Sequence, residues 1–274
     1  MNKPGNNSKI SVSDIAVSYI VQGPENAPSI VFIHGFPLNK SMWNKQIEAL
    51  CNSYQTIAYD IRGHGNTDNG NVKFSIELFV SDLISFMDAL NIDQTILCGL
   101  SMGGYIALNA IQNHPARFSA LVLCDTNCTA DIPAAVLKRM LAIDDIKVGT
   151  TGKYADVSLT KLFAAESFTK NIDAIALARE MIMTTSKQSL MGSLNALAVR
   201  KETCARLNEI NVPVMILVGK EDIVTPPEAA KFMHENIKGS LLKIIDHAGH
   251  LSNMENPEEF NLQLKQFLSS LKSK

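Results

Sequence analysis

Residues 96–106 predict a strand, a tight turn and a helix in immediate succession. They read Ile-Leu-Cys-Gly-Leu-Ser-Met-Gly-Gly-Tyr-Ile: an apolar run suited to a buried strand ends at Gly99, and a helical pattern begins at Met102. Ser101 falls in the turn, where side chains at 99 and 103 would collide. Such a turn lifts the Ser101 Oγ atom out of the fold at a helix N-terminus, which favours negative charge. A lone Gly-x-Ser-x-Gly pattern is weak evidence, so the rest of the chain must support it.

Apolar, strand-like runs alternate with helix-like stretches along most of the chain. The strand-like runs are 29–33, 56–59, 95–98, 120–124, 212–218 and 241–245, and the helical patterns between or after them include 41–50, 75–90, 227–237 and 257–271. Residues 9–22 alternate apolar and polar positions, as an antiparallel hairpin does. This rhythm predicts an α/β fold with a mostly parallel sheet flanked by helices.

The alternation is interrupted between 128 and 206. This stretch has a helical pattern rich in Ala, Leu, Met and Lys, and it contains no convincing strand. We therefore predict a core in two parts, 1–127 and 207–274, with a helical cap inserted at 128–206. Ligands of open parallel sheets bind beyond the C-terminal strand ends, which such a cap would cover. Five residues are candidates for its lining, although helix-spaced Met and Leu also suit a plain core: Met181, Met183, Leu190, Met191 and Leu194.

Charge and hydropathy exclude several classes of partner. The net charge is −2 and no lysine or arginine cluster is present, so neither nucleic acid nor an anionic membrane is expected. No apolar run reaches the roughly 18 residues of a membrane span, and the N-terminal residues lack the apolar centre of a secretory signal. These observations predict a cytoplasmic protein.

The cysteines form an odd set without zinc-type spacing. Cys98 and Cys124 lie in apolar runs, and we predict that all five thiols are reduced and buried, with Cys51 or Cys204 as the alternative reactive thiol. The full set is Cys51, Cys98, Cys124, Cys128 and Cys204. No His-Glu-x-x-His pattern occurs either. The sequence therefore predicts no metal and no cofactor.

A serine hydroxyl needs a base, usually a histidine oriented by a carboxylate. His250 follows the last apolar strand and precedes the last helix, which places it at the same sheet edge as Ser101. His247 is the alternative base, being closer to the strand. His114 and His234 are interpreted as surface or capping residues.

The carboxylate should follow an intervening strand. Asp222 lies in the loop after the strand-like run 212–218 and is our first choice. Glu221 is adjacent and expected to face solvent, and Asp125 could supply the carboxylate from the strand that leads into the cap. The order Ser101, Asp222, His250 is the order of α/β-hydrolases and differs from those of chymotrypsin and subtilisin.

Five segments carry a resemblance that covers nearly the whole chain. They are His34-Gly35-Phe36-Pro37, residues 60–65 (Asp-Ile-Arg-Gly-His-Gly), residues 99–104 (Gly-Leu-Ser-Met-Gly-Gly), residues 219–222 (Gly-Lys-Glu-Asp) and Gly249-His250. In this order and spacing the chain resembles an α/β-hydrolase. Residues 34–43 and 98–126 resemble bacterial 3-oxoadipate enol-lactonases and the arylesterases also known as perhydrolases or cofactor-free haloperoxidases.

The resemblance implies an oxyanion hole formed by the backbone N–H groups of Phe36 and Met102. Two donors fixed before the reaction suit a tetrahedral oxyanion. We expect His34 to shape the turn after its strand, and Arg62 and His64 to brace their loop rather than contact substrate. A serine at the turn argues against haloalkane dehalogenases and epoxide hydrolases, which carry aspartate there.

We therefore predict a cofactor-independent serine hydrolase that cleaves a small carboxylic ester or lactone through an acyl-enzyme. Perhydrolysis or carbon–carbon bond hydrolysis by the same residues is the alternative reaction. A small-molecule receptor with the same fold is the alternative from another class, although a receptor needs no Ser–His pair. The sequence predicts neither the substrate nor the oligomeric state.

Overall fold

An eight-stranded sheet forms the centre of the protein in the computed structural model, which describes residues 7–271. Its strands are β1 (Ser8–Val12), β2 (Ile15–Gln22), β3 (Ser29–Ile33), β4 (Gln55–Tyr59), β5 (Thr95–Leu100), β6 (Phe118–Cys124), β7 (Val214–Gly219) and β8 (Leu241–Ile245). They lie in the order β1-β2-β4-β3-β5-β6-β7-β8. The pairs β1–β2 and β2–β4 are antiparallel, and every later pair is parallel. The predicted mostly parallel sheet with an antiparallel edge is confirmed.

Helices connect and cover these strands. They are α1 (Asn44–Leu50), α2 (Ile76–Ala89), α3 (Met102–Asn113), α4 (Pro133–Val148), α5 (Thr151–Leu162), α6 (Ser167–Lys170), α7 (Ile172–Met183), α8 (Lys187–Ala198), α9 (Pro227–Asn236), α10 (Ser252–Glu255) and α11 (Pro257–Leu271). Short 3₁₀ segments occur at Lys40–Trp43, Pro115–Arg117 and Cys204–Glu209. None of these helices is both long and apolar enough to cross a bilayer.

Both faces of the central strands are buried, which explains their continuous apolar runs. Alternate residues of β3 point to opposite faces: Val31 and Ile33 belong to the core cluster that contains residues of α2, α3 and α9, whereas Ile30 and Phe32 belong to the cluster that contains residues of α1 and α11. The predicted strand at 212–218 begins two residues late, at Val214. Pro213 precedes that start and has no N–H to donate to a neighbouring strand.

Five helices, α4 to α8, stand between β6 and β7, and the described chain contains no strand there. We refer to residues 128–206 as the helical insertion. Its division from the core at these particular positions stays a prediction. The sheet places the C-terminal ends of β5, β6 and β7 next to one another, so the loops after them meet at one edge.

A disulfide joins the two stems of the helical insertion and corrects the sequence-based prediction for two cysteines. Cys128 and Cys204 are bonded, so neither is a reduced or reactive thiol. The backbone N–H of Thr203 also donates to the carbonyl of Cys128, at 2.8 Å. Because 76 positions separate the two cysteines, only the fold brings them together. Cys51, Cys98 and Cys124 are free and buried, as predicted.

Removing this disulfide should lower the free energy of unfolding by about 2–5 kcal/mol, because the bond closes a long loop and restricts the unfolded chain. Cys128→Ser, Cys204→Ser and the double variant should lose the same amount, since each lacks the same bond. Denaturant unfolding without reductant measures this. Cys51→Ser is the control for loss of a thiol alone. Wild type and Cys204→Ser unfolding at the same denaturant concentration would contradict the prediction.

Candidate active site

Ser101 lies in the turn between β5 and α3, with the strained backbone angles φ 54° and ψ −114°. A Cβ atom on Gly99 would lie 2.2 Å from the carbonyl oxygen of Gly103, so the close strand–helix approach requires glycine. The Ser101 carbonyl accepts a hydrogen bond from Thr126 Oγ1 at 2.8 Å. The Ser101 side chain makes no capping bond to α3, which leaves its hydroxyl for other partners.

His250 lies in the loop between β8 and α10, and its imidazole contacts Ser101 on one side and Asp222 on the other. The Nε2 atom is 2.8 Å from Ser101 Oγ, and Nδ1 is 2.8 Å from Asp222 Oδ2. An ionised carboxylate only accepts hydrogen bonds, so the proton lies on Nδ1 and Nε2 accepts from the serine hydroxyl. The His250 side chain is 1% exposed, which shields these contacts from water.

Asp222 follows β7 and is held by its own loop. Its Oδ1 atom accepts from the backbone N–H groups of Val224 and Thr225, at 2.8 and 3.0 Å. Its Oδ2 atom accepts from Thr225 Oγ1 at 2.8 Å as well as from His250. Burial raises the pKa of Asp222, but the electrostatic interaction with His250 and these hydrogen bonds outweigh the effect of burial and leave the pKa below its usual value. The carboxylate is therefore ionised at neutral pH.

Asp125, the alternative acid, bonds elsewhere. Its Oδ1 atom accepts from the Gly219 N–H at 2.7 Å, and its Oδ2 atom accepts from Ser252 Oγ at 2.5 Å. Burial, and then the nearby charge of Asp222, raise the pKa of Asp125 well above its usual value. The structure thus brings Asp222 to His250, and it uses Asp125 to join the ends of β6 and β7 to α10.

The other histidines and the other carboxylate considered for the base and the acid lie away from Ser101. His247 Nδ1 is 2.6 Å from Glu166 Oε1 at the surface, and Glu221 is exposed. His114 is exposed at the end of α3, and His234 Nδ1 pairs with Ser240 Oγ at 2.8 Å.

Two backbone N–H groups near Ser101 are candidates for the oxyanion hole. Met102 occupies the first position of α3, where a helix offers no internal acceptor. No hydrogen-bond acceptor within residues 7–271 contacts the Phe36 N–H. A Cβ atom on the preceding Gly35 would lie 3.3 Å from the Ser101 Cβ atom, so this loop passes beside the serine.

His34 and His64 are buried, and burial favours their neutral forms. His34 Nε2 accepts from the Ile61 N–H at 2.9 Å, so its Nδ1 carries the proton and donates to the Gly35 carbonyl at 3.0 Å. Burial lowers the pKa of His34 well below its usual value and that of His64 to about 4. His64 Nδ1 lies 3.1 Å from the Arg62 carbonyl oxygen.

Arg62 is buried and holds the loop after β4. Its guanidinium donates two hydrogen bonds to the carboxylate of Asp82, at 2.8 and 2.7 Å, and one to Asp14 Oδ1 at 2.8 Å. The remaining nitrogen, Nη1, donates to the Asn69 carbonyl at 3.4 Å. These contacts match the bracing role expected from the sequence.

The helical insertion contributes an apolar cluster next to Phe36. Its buried members come from α4 and α8, and they are Ile143, Ile146, Leu190 and Leu194. Phe36, Met140, Tyr154 and Met191 pack against them. Of the predicted lining residues, Met181 instead packs in the core layer with α5, and Met183 is 44% exposed. The surroundings of the oxyanion loop are therefore largely apolar.

Two contributors to this site were not predicted from the sequence. Thr225 donates to Asp222, and Glu255 accepts from the residues on either side of His250. The short spacing from Asp222 to Thr225 was the available signal for the first. Within residues 7–271, no group of three or more His, Cys, Asp or Glu side chains is arranged to hold a metal ion.

The chain has sequence relatives along nearly its full length. A family described as "alpha/beta hydrolase fold" matches residues 28–257. The 3-oxoadipate enol-lactonase 1 of Acinetobacter baylyi is 30% identical over 255 residues, which span 93% of this chain and 94% of that protein.

Solved structures share the same architecture. A thermophilic esterase from Thermogutta terrifontis superposes with a TM-score of 0.91 at 28% identity, covering 97% of this chain and 99% of that one. The enol-lactonase from Burkholderia xenovorans LB400 gives a TM-score of 0.89 at 25% identity, covering 96% and 100%.

Proposed function

The chain belongs to the α/β-hydrolase fold family, and on this premise we propose that it hydrolyses a small carboxylic ester or lactone with Ser101 as the nucleophile. The family resemblance predicted from five sequence segments is confirmed. The observation that carries the proposal is the continuous contact from Ser101 Oγ to His250 and from His250 to Asp222, each at 2.8 Å. This contact supplies the base that a serine hydroxyl needs.

In the acylation step, Ser101 Oγ attacks the carbonyl carbon while His250 Nε2 takes the hydroxyl proton. The Asp222 carboxylate stabilises the resulting imidazolium through its hydrogen bond to Nδ1. The backbone N–H groups of Phe36 and Met102 donate to the oxyanion, and one such donor typically contributes a factor of about 10²–10³ in rate.

The tetrahedral intermediate then collapses. His250 returns its proton to the leaving alkoxide, which departs as an alcohol or, for a lactone, stays attached at the far end of the acyl chain. Water attacks the acyl-enzyme, His250 takes a proton from that water, and the acid is released with Ser101 restored. Every proton moves through His250, so the mechanism needs no further titrating group.

We propose that the helical insertion acts as a cap over this site and selects the acyl group. The apolar cluster of α4 and α8 packs against Phe36, one residue after Gly35, which passes beside Ser101. An acyl chain seated there would be removed from water, which favours small, largely apolar acids. The names of the relatives describe enol-lactonases and an esterase, which supports an ester or lactone as the substrate class.

We expect catalytic turnover of at least one short-chain aryl ester or small lactone, with many product molecules formed per chain. One preparation should be assayed against p-nitrophenyl acetate and butyrate, a panel of five- and six-membered lactones, and acetate with hydrogen peroxide for peracid formation. Turnover that occurs only with peroxide would show that the reaction is perhydrolysis and not hydrolysis. Stoichiometric binding without turnover would instead indicate a receptor.

The sequence predicts a cytoplasmic protein, and this stays a prediction. The disulfide between Cys128 and Cys204 argues against a cytoplasmic location, because such bonds persist mainly in oxidising compartments.

A further inference from the structure

Glu255, the last residue of α10, is a buried carboxylate that the mechanism above does not use. It is 5% exposed, and within residues 7–271 no lysine, arginine or histidine side chain forms an ion pair with it. A buried charge without a cationic partner is costly unless hydrogen bonds compensate it. Hydrogen bonds around Glu255 must therefore compensate the cost of burying its charge.

Four hydrogen bonds converge on this carboxylate, two on each oxygen. The Oε1 atom accepts from the backbone N–H groups of Gly249 and Leu251, at 2.8 and 3.3 Å. The Oε2 atom accepts from the Ala164 N–H at 2.7 Å and from Ser167 Oγ at 2.6 Å. One oxygen thus holds the two residues that flank His250, and the other holds the helical insertion at the link after α5 and at the first residue of α6.

Further contacts join the same two segments. The His250 N–H donates to the Leu162 carbonyl at 3.0 Å. A Cβ atom on Gly249 would lie 2.7 Å from the Ala164 nitrogen, so the two backbones are in close contact. Asn171 Nδ2 donates to the Glu255 carbonyl at 3.0 Å and so adds a third tie from the insertion.

No helix or strand contains the loop that carries His250, and besides the contacts above the Glu221 N–H donates to the Ala248 carbonyl at 2.9 Å. β8 ends at Ile245 and α10 begins at Ser252, so the position of the imidazole depends on the backbone bonds of residues 246–251. Displacing a reacting group by about 1 Å can cost about 10²-fold in rate. A group that fixes the N–H on both sides of His250 therefore acts on the geometry of proton transfer.

We propose that Glu255 is a positioning residue that holds His250 in line with Ser101 by anchoring the His250 loop to the helical insertion. The proposal rests on the hydrolase function given above. It makes the alignment of the base depend on a contact with residues 162–167, so the insertion helps to set the catalytic geometry as well as to cover the site.

Glu255→Gln tests the proposal with little change in size. A carboxylate only accepts, whereas the glutamine amide places an NH₂ group against at least one backbone N–H donor. We expect kcat to fall by about 10²-fold, with little change in KM. The kcat values should be divided by the concentration of active sites, titrated with an organophosphate, so that loss of folded protein does not count. Glu258→Gln, an exposed glutamate on α11, is the charge-matched control and should keep the wild-type kcat.

A purely structural role would lower the titrated fraction or the melting temperature and leave kcat per titrated site unchanged, and that result would overturn the proposal. If Glu255→Gln does not fold, Ser167→Ala removes one donor and keeps the carboxylate, and it should lower kcat per site by a smaller factor without raising KM. A wild-type kcat per site in that variant would also overturn it.

Hydrogen–deuterium exchange on the same variants separates failure of this proposal from failure of the hydrolase function, since exchange needs no substrate. Glu255→Gln should exchange faster in both 246–251 and 162–167, and Glu258→Gln in neither. Unchanged exchange in both segments would overturn the proposal whatever the wild-type activity. Faster exchange in Glu255→Gln together with an inactive wild type would support the anchoring role of Glu255 and contradict the hydrolase function.

Discussion

Replacing Ser101 by alanine should lower kcat for ester or lactone hydrolysis by about 10⁶-fold, the loss that follows removal of a serine nucleophile from an intact triad. The variant keeps the N–H groups of Phe36 and Met102, so weak catalysis from the oxyanion site is the most that can survive. The folded state should be little affected, because the Ser101 side chain makes no capping bond to α3. The measurement is kcat for whichever substrate the screen identifies, together with the melting temperature.

Ser81→Ala is the matched control for that experiment. Ser81 is exposed on α2, where its hydroxyl donates to the Glu77 carbonyl at 3.1 Å. Its loss should leave kcat unchanged. A Ser101→Ala variant within tenfold of the wild type would show that another group attacks the substrate.

Asp222→Asn should lower kcat by about 10⁴-fold, the loss found for the same substitution in the chymotrypsin-type triad. The loop fixes how the new amide must lie. Two backbone N–H groups, from Val224 and Thr225, point at Oδ1, so the amide oxygen takes that place and the NH₂ group faces His250. That NH₂ donates to Nδ1 and drives the proton to Nε2. The imidazole then presents a donor to Ser101 and cannot act as its base.

Asp125→Asn is the control, and it should lose far less activity. Its amide oxygen can accept from the Gly219 N–H, and its NH₂ can donate to the hydroxyl oxygen of Ser252, so both existing contacts have replacements. Thermal unfolding should establish that both variants are folded before rates are compared. An inactive Asp125→Asn beside a nearly wild-type Asp222→Asn would reverse our assignment of the acid.

The fold was predictable because its signals are local. A strand covered on both faces reads as an unbroken apolar run, as in β3 and β5, and each such run stops where the chain turns toward the site. Ser101, Asp222 and His250 all follow parallel strands of one sheet. The sheet edge therefore brings them together from positions far apart in sequence.

What could not be predicted depends on contacts between distant segments. The spacing of the cysteines gave no sign that Cys128 and Cys204 would meet, because their pairing follows from where the insertion leaves and rejoins the sheet. In the sequence alone, Glu255 is likewise indistinguishable from any charged residue near the start of a helix. Its role depends on Ala164 and Ser167, about 90 positions away, which the sequence alone does not bring near it.

Covalent labelling of the serine tests the central claim most directly. An activated hydroxyl beside an oxyanion site reacts quickly with a fluorophosphonate, and ordinary serines do not. Intact-mass and peptide mapping of the wild type should give one adduct per chain, on Ser101. The adduct should be absent from Ser101→Ala and should form slowly in Asp222→Asn. An adduct on a different serine, or none under conditions that inactivate a control esterase, would contradict the account.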